Sequence, residues 1–194
     1  MKRFIAAILC VGLIAAVSTG CAYKDALSKD NTATTQATEA TGSVATEDEV
    51  DEKNFSDNLQ GLSEYFAKKG YITTKDGKID ESTVTVMDAS LIGAKEGKKY
   101  ATAYGGKAIT IELYEYDVRN LNNLNDTAKA VIESVKNSGE FTILDLPPVK
   151  AYLSNNGRYI MVYTDASIDD ANPDKESDNY KHREEVIKNF KSFI

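Results

Sequence analysis

The sequence predicts an α+β domain in which an antiparallel sheet carries helices on one face, in the order α-βββ-α-βββ-α. Three observations point there. Apolar residues recur at helical spacing in three separated stretches, and glycines stop the first two. The segments between them alternate apolar and polar residues with the period of a strand. Two pairs of those segments are joined by Gly105-Gly106 and Asn155-Asn156-Gly157, the turns of tight hairpins.

Ser56 is placed to cap the first helix, because its hydroxyl can accept an otherwise unpaired N–H. Leu59, Leu62, Phe66 and Lys69 follow at helical spacing, and Gly70 ends the run. Asp76-Gly77 marks a turn, and residues 83–89 read as a strand with Val84 and Val86 on one face. Residues 98–104 and 107–117 are the arms of the first hairpin. In its second arm Ile109, Ile111 and Leu113 point one way, while Thr110, Glu112, Tyr114 and Tyr116 point the other. Leu124, Ala128, Val131, Ile132 and Val135 form the stripe of a second helix, stopped by Gly139. Residues 141–144 read as a strand interrupted by Leu146-Pro147-Pro148, and 149–153 with 158–164 make the second hairpin. The last helix starts near Ser177 and buries Tyr180, Val186, Ile187, Phe190 and Phe193. Gly106-Lys107 and Gly157-Arg158 lie 51 residues apart, and Ile109 and Ile111 match Ile160 and Val162 at that offset. The match suggests an internal duplication.

This domain is expected over residues 56–194, behind two segments of different character. Lys2 and Arg3 precede an unbroken apolar or small-residue run over residues 4–17. Fourteen residues fall short of the ~20 that a spanning helix needs but suit a secretory signal. Val17-Ser18-Thr19-Gly20-Cys21 then resembles the lipobox of bacterial lipoproteins, with Ser18 standing where Leu is usual. The resemblance implies a leader over 1–20 and a diacylglyceryl group on Cys21, which would hold the chain to the outer face of the cytoplasmic membrane. Cys10 would leave with the leader, so no free thiol would remain for catalysis. Residues 21–55 read as a tether. No aromatic residue lies between Tyr23 and Phe55, and Thr32, Thr34, Thr35, Thr38, Thr41 and Thr46 alternate with Ala and Glu. Such a stretch buries too little apolar surface to offset its ordering entropy, and it would span ~30–35 Å. Glu47, Asp48, Glu49, Asp51 and Glu52 close it with a like-charge run.

The net charge of −7 argues against nucleic acid, whose affinity rests on Lys and Arg neutralising phosphates. One His and two Cys leave no zinc-site pattern and no disulfide framework. Residues 93–99 approach a phosphate loop but are one residue short and lack the Ser or Thr that holds magnesium, so they read as a turn. His182, among Lys181, Arg183, Glu184 and Glu185, reads as an exposed helix histidine. Asp170, Asn172, Asp174, Glu176 and Asp178 recur at every second position, as in the front half of a calcium loop. Lys175 replaces the glycine of its sharp turn, and Lys181 stands where the bidentate Glu belongs. A solvated acidic loop is the better reading, and no cofactor is expected.

Tyr114 and Tyr116 are the candidate binding residues, on the sheet face the helices would leave open; the same pattern also arises where both faces are partly buried. Ile92-Gly93-Ala94-Lys95-Glu96-Gly97, residues 111–117 and Asn156-Gly157-Arg158-Tyr159 resemble segments of small, functionally unassigned surface lipoproteins of Gram-positive bacteria. That resemblance implies a surface location and carries over no catalytic residue. The expected function is a membrane-anchored binding or accessory module for a protein, peptide or envelope polymer. The alternative is an envelope enzyme using carboxylates such as Glu112 and Glu115, although these lie on opposite faces of one strand.

Overall fold

The structure is a computed structural model that describes residues 50–119, 124–144 and 146–194. The leader, Cys21 and most of the tether lie outside the described residues.

The first helix, α1 (Leu59–Lys68), forms where the sequence places it, but Asn58 rather than Ser56 is its cap: the Asn58 side chain accepts the Gly61 N–H at 2.8 Å. Ser56 instead lays its backbone across the first turn. A Cβ on Gly61 would meet the Ser56 carbonyl oxygen at 1.9 Å, so this entry path requires glycine there. Nor does the fold begin at 56. Val50 and Phe55 pack on the core, Phe55 with its ring 5.5 Å from that of Tyr65. Contact with this apolar core draws these two residues out of the expected tether.

Two-residue strands β1 (Thr74–Lys75) and β2 (Lys78–Ile79) make a small ribbon about Asp76-Gly77, and β3 (Val84–Val86), β4 (Glu96–Tyr104) and β5 (Lys107–Glu115) follow. Helix α2 (Asp126–Ser138) is capped by Asn125, and Gly139 ends it in the left-handed conformation. The short β6 (Glu140–Phe141) and β7 (Val149–Lys150) pair with each other; β8 (Tyr152–Leu153) and β9 (Tyr159–Asp165) precede α3 (Asp178–Ser192), capped by Ser177. Five strands form an antiparallel sheet in the order β3-β4-β5-β9-β8. The fold is therefore α+β, with more and shorter strands than the expected order.

Helices cover both faces of this sheet, not one. Leu59, Leu62 and Phe66 of α1 and Val186, Ile187 and Phe190 of α3 pack on Ile109, Ile111, Leu113, Met161 and Tyr163. On the opposite face Ala128, Val131 and Val135 of α2 pack on Tyr114, Tyr116, Ile160 and Val162. The reason is in β9: Tyr159 to Tyr163 is apolar at every position, so each of its faces needs a cover. The same arrangement removes the basis of the duplication. Ile109 and Ile111 face α1 and α3, whereas their counterparts Ile160 and Val162 face α2. A two-fold relating antiparallel neighbours β5 and β9 must stand perpendicular to the sheet and keep each residue on its own face. The matched residues do not obey it.

Candidate functional site

Tyr114 and Tyr116 are not a contact surface. They are 3% and 0% exposed, beneath α2 and the turn Ala89–Ile92. The Tyr114 ring fills the place a side chain at Gly97 would occupy, where a Cβ would lie 2.6 Å from it. The Tyr114 hydroxyl donates to Glu112 at 2.9 Å, and that of Tyr116 to the Ile92 carbonyl at 3.2 Å. Burial pushes both phenols well above their ordinary pKa, so they stay neutral donors.

Glu112 and Glu115 lie on opposite faces of β5, as alternation requires, and the structure does not bring them together. Glu112 pairs with Lys99 at 3.1 Å near the rim of the α2 face. Glu115 is 1% exposed and sits at the N-terminus of α1, where the Leu59 N–H donates to its Oε2 at 2.8 Å. Its Oε1 accepts Arg158 at 2.5 Å and Lys95 at 3.3 Å. Arg158, also buried, reaches Asp57 with its other terminal nitrogen at 2.5 Å, and the Tyr159 hydroxyl donates to the second Asp57 oxygen at 2.7 Å. Burial by itself would raise the Glu115 pKa. The Arg158 and Leu59 hydrogen bonds outweigh it and hold the carboxyl below its ordinary range. With each of its oxygens engaged, this carboxylate acts as a clasp. It ties residue 57, close to where the chain enters the domain, through Arg158 to β5 and β9.

The sequence reading missed Arg158 and Asp57. A signal was present: Glu115 shares its strand parity with Ile109, Ile111 and Leu113, so an inward-facing acid needed a buried cation.

The acidic loop is spent on protein partners. Asp170 Oδ1 accepts Arg183 at 2.6 Å and Lys150 at 3.0 Å, and Asp174 Oδ1 accepts the Glu176 amide at 3.0 Å. Among the described residues no group of three or more His, Cys, Asp or Glu is gathered as a metal would need. Asn172, Glu176 and Asp178 stay in the loop and at the start of α3, where Glu176 pairs with Lys181 at 3.0 Å. Of residues 93–99 only the first three lead into the strand: Gly93 ends the Ala89–Ile92 turn, Lys95 pairs with Glu115 at 3.3 Å, and 96–99 belong to β4 rather than to a turn. His182 is half-buried rather than exposed. It stacks on Tyr104 with ring centroids 3.8 Å apart and planes 2° from parallel, and it meets the Tyr71 ring edge-on.

Grooves also mark the surface of the described residues. One of 660 Å³ runs between α1 and the β1–β2 ribbon, one of 440 Å³ lies along α2, and one of 410 Å³ lies beside β8. The chain matches no known family model, no curated protein and no solved structure. Among the described residues no helix is long and apolar enough to cross a membrane.

Proposed function

We propose that the chain is a lipid-anchored extracytoplasmic module that binds a protein, peptide or envelope polymer and does not turn it over. The observation that carries this is Val17-Ser18-Thr19-Gly20-Cys21 behind an uninterrupted apolar run, a spacing that resembles the signal of bacterial lipoproteins. The acidic, Thr-rich stretch that follows suits a tether, and like charges extend it away from an anionic surface. The clasp supports the same reading from the folded side. A domain held by its N-terminus takes any pull on the tether at residues 50–58, and Asp57 there is ion-paired to a buried arginine of the central sheet. The carboxylates considered for envelope chemistry are engaged: Glu112 by Lys99 and Tyr114, Glu115 by Arg158, Lys95 and the Leu59 amide.

Anchoring is tested at Cys21. Expressed in a bacterium with a lipoprotein-processing pathway, the chain should enter the membrane fraction, and its N-terminal peptide should begin at an acylated Cys21. Cys21→Ala should leave an unprocessed precursor. An N-terminal peptide beginning at Ala22, or at Cys21 without acyl mass, would overturn the reading.

A further inference from the structure

We propose that the groove beside β8 is an anion site that takes the phosphate group of a small organic ester, such as a polyol or sugar phosphate. The inference rests on reading the domain as a binding module and is independent of the lipid anchor. β8 is an outer strand of the sheet, and its register decides which of its amides face away from β9. The Ser154 N–H donates to the Tyr159 carbonyl at 3.0 Å, and β8 sets Leu153 opposite Ile160 and Tyr152 opposite Met161. Bonded and non-bonded pairs alternate along an antiparallel ladder, so Tyr152 bonds toward β9 while the Leu153 N–H and C=O turn outward.

The outward amides on either side of Leu153 are both taken. Ala151 donates to the Gly139 carbonyl at 2.8 Å, just past the end of α2, and Asn155 donates to the Lys191 carbonyl at 3.0 Å in the last turn of α3. The Leu153 N–H remains between them, without a protein partner among the described residues, at a groove of 410 Å³ that Leu153 lines. A partner strand cannot be added here, because the bonding positions on both sides are filled. A compact acceptor fits.

The charge of the lining selects its sign. Lys136 from α2, Lys150 from β7 and Lys191 from α3 converge on the groove against one carboxylate, Glu140, in a chain whose net charge is −7. Lys136 and Lys191 form no ion pair among the described residues; the Lys191 ammonium stands 6.0 Å from the Tyr152 ring centroid. Lys150 lies 3.0 Å from Asp170, a carboxylate that also receives Arg183. Both helices end at this groove, and a helix C-terminus repels an anion. Here two of the carbonyls responsible, those of Gly139 and Lys191, are committed to Ala151 and Asn155, while Lys136 and Lys191 sit in the last turns as counter-charges. The volume exceeds that of a bare phosphate and lies within the ~300–1,000 Å³ of small-molecule pockets, with half-buried Tyr152 as an aromatic wall for the carbon skeleton.

The test is a titration of the ¹⁵N-labelled full chain, in non-ionic detergent at low salt, with glycerol 3-phosphate, inorganic phosphate, glycerol and a glutamate decapeptide as separate probes. The Leu153 amide resonance should move saturably with the ester, less with inorganic phosphate and not at all with glycerol. Lys136→Gln combined with Lys191→Gln should weaken the ester about ten-fold, and Glu140→Gln should tighten it about two-fold. The opposite sign of the second change keeps the site testable even if the lysine pair loosens the helix ends. A stationary Leu153 resonance, an equal response to glycerol, an unchanged midpoint in Glu140→Gln, or tighter binding of the glutamate peptide would each overturn the assignment. Cys21→Ala should leave the midpoint unaltered, so failure of the groove and failure of the anchor are distinct results.

Discussion

On the sheet face toward α1 and α3 the helices bring the large side chains: Leu62, Phe66 and Phe190 are 0% exposed, and the Phe66 and Phe190 rings meet edge-on. On the face toward α2 the residues the helix buries fully are Ala128, Val131 and Val135, with Ile132 partly buried beside them, and Tyr114 and Tyr116 supply the bulk from the sheet side. Charge is divided in the same way. The first face encloses Glu115 with Arg158, whose side chains are 1% and 4% exposed, whereas Glu112 and Lys99 on the second stay partly in water at 18% and 38%. A small-residue helix stripe and a large-residue strand are therefore complementary, and a tyrosine opposite alanine is core. The two ion pairs divide by burial between a structural and a marginal role.

Breaking the clasp should have the largest effect. Arg158→Ala leaves the buried Glu115 carboxylate with the Leu59 N–H and the exposed Lys95 but without its buried cation, and breaking a buried pair costs about 3–5 kcal/mol. Lys99→Ala at the other pair should cost less than about 1 kcal/mol, since solvent screens it. Urea denaturation of both reads the difference directly. Replacing both partners, Glu115→Leu with Arg158→Met, should recover much of the loss, because no unpaired charge remains. A single Arg158→Ala variant as stable as the parent would mean that Glu115 takes a proton or reaches water, and the contrast between the faces would fall.

The packing contrast is sharpened by Phe66→Ala against Val131→Ala. Removing a fully buried aromatic ring costs about 3–5 kcal/mol, whereas two methyl groups are worth about 1.5 kcal/mol at ~0.8 each. Thermal or urea unfolding should rank them in that order. Equal losses would show α2 to be as tightly packed as α1.

The helices were legible because periodicity and stop signals are local: Gly70 and Gly139 follow α1 and α2 closely, and Ser177 caps α3. Strand pairing at Gly105-Gly106 was legible for the same reason. What escaped is non-local. Whether the tyrosine face is open depends on where α2 docks, and its Ala/Val stripe was read only as apolar, not as small. The clasp joins Asp57, Glu115 and Arg158 across 101 residues between its ends, a pairing that spacing along the chain does not encode.

Acid should find the clasp next. The folded Glu115 pKa lies below its ordinary value, with burial opposing and the Arg158 and Leu59 hydrogen bonds prevailing. The stabilisation is therefore present above the unfolded-state pKa of ~4.3 and lost as pH falls through the folded one. Asp165 and Asp170 are depressed as well, by Ser167 and Asn179 and by Lys150 and Arg183, so the parent should lose stability steeply below pH 4. Glu115→Gln should be less stable at pH 7 and show a shallower acid limb. Parallel limbs would place the acid sensitivity in the other two carboxylates.

The smallest effect concerns His182, whose imidazole lies against Tyr104 and Tyr71 with Glu185 and Asp165 nearby. Burial disfavours the charged ring more than those two carboxylates favour it, so the pKa falls below the ordinary 6.5. Between the folded pKa and 6.5 the unfolded chain binds the proton and the native chain does not, so stability declines as pH drops through that window. The ring proton resonances of His182 should titrate with a midpoint below 6.5. Between pH 7.5 and 5.5 the parent should lose more melting temperature than His182→Gln, which cannot titrate. Lys181, Glu184 and Lys188 of the same helix are exposed and are unchanged in His182→Gln, so they are common to both proteins compared. A midpoint above 6.5 would mean that Glu185 and Asp165 win over burial, and the sign of the pH dependence would reverse.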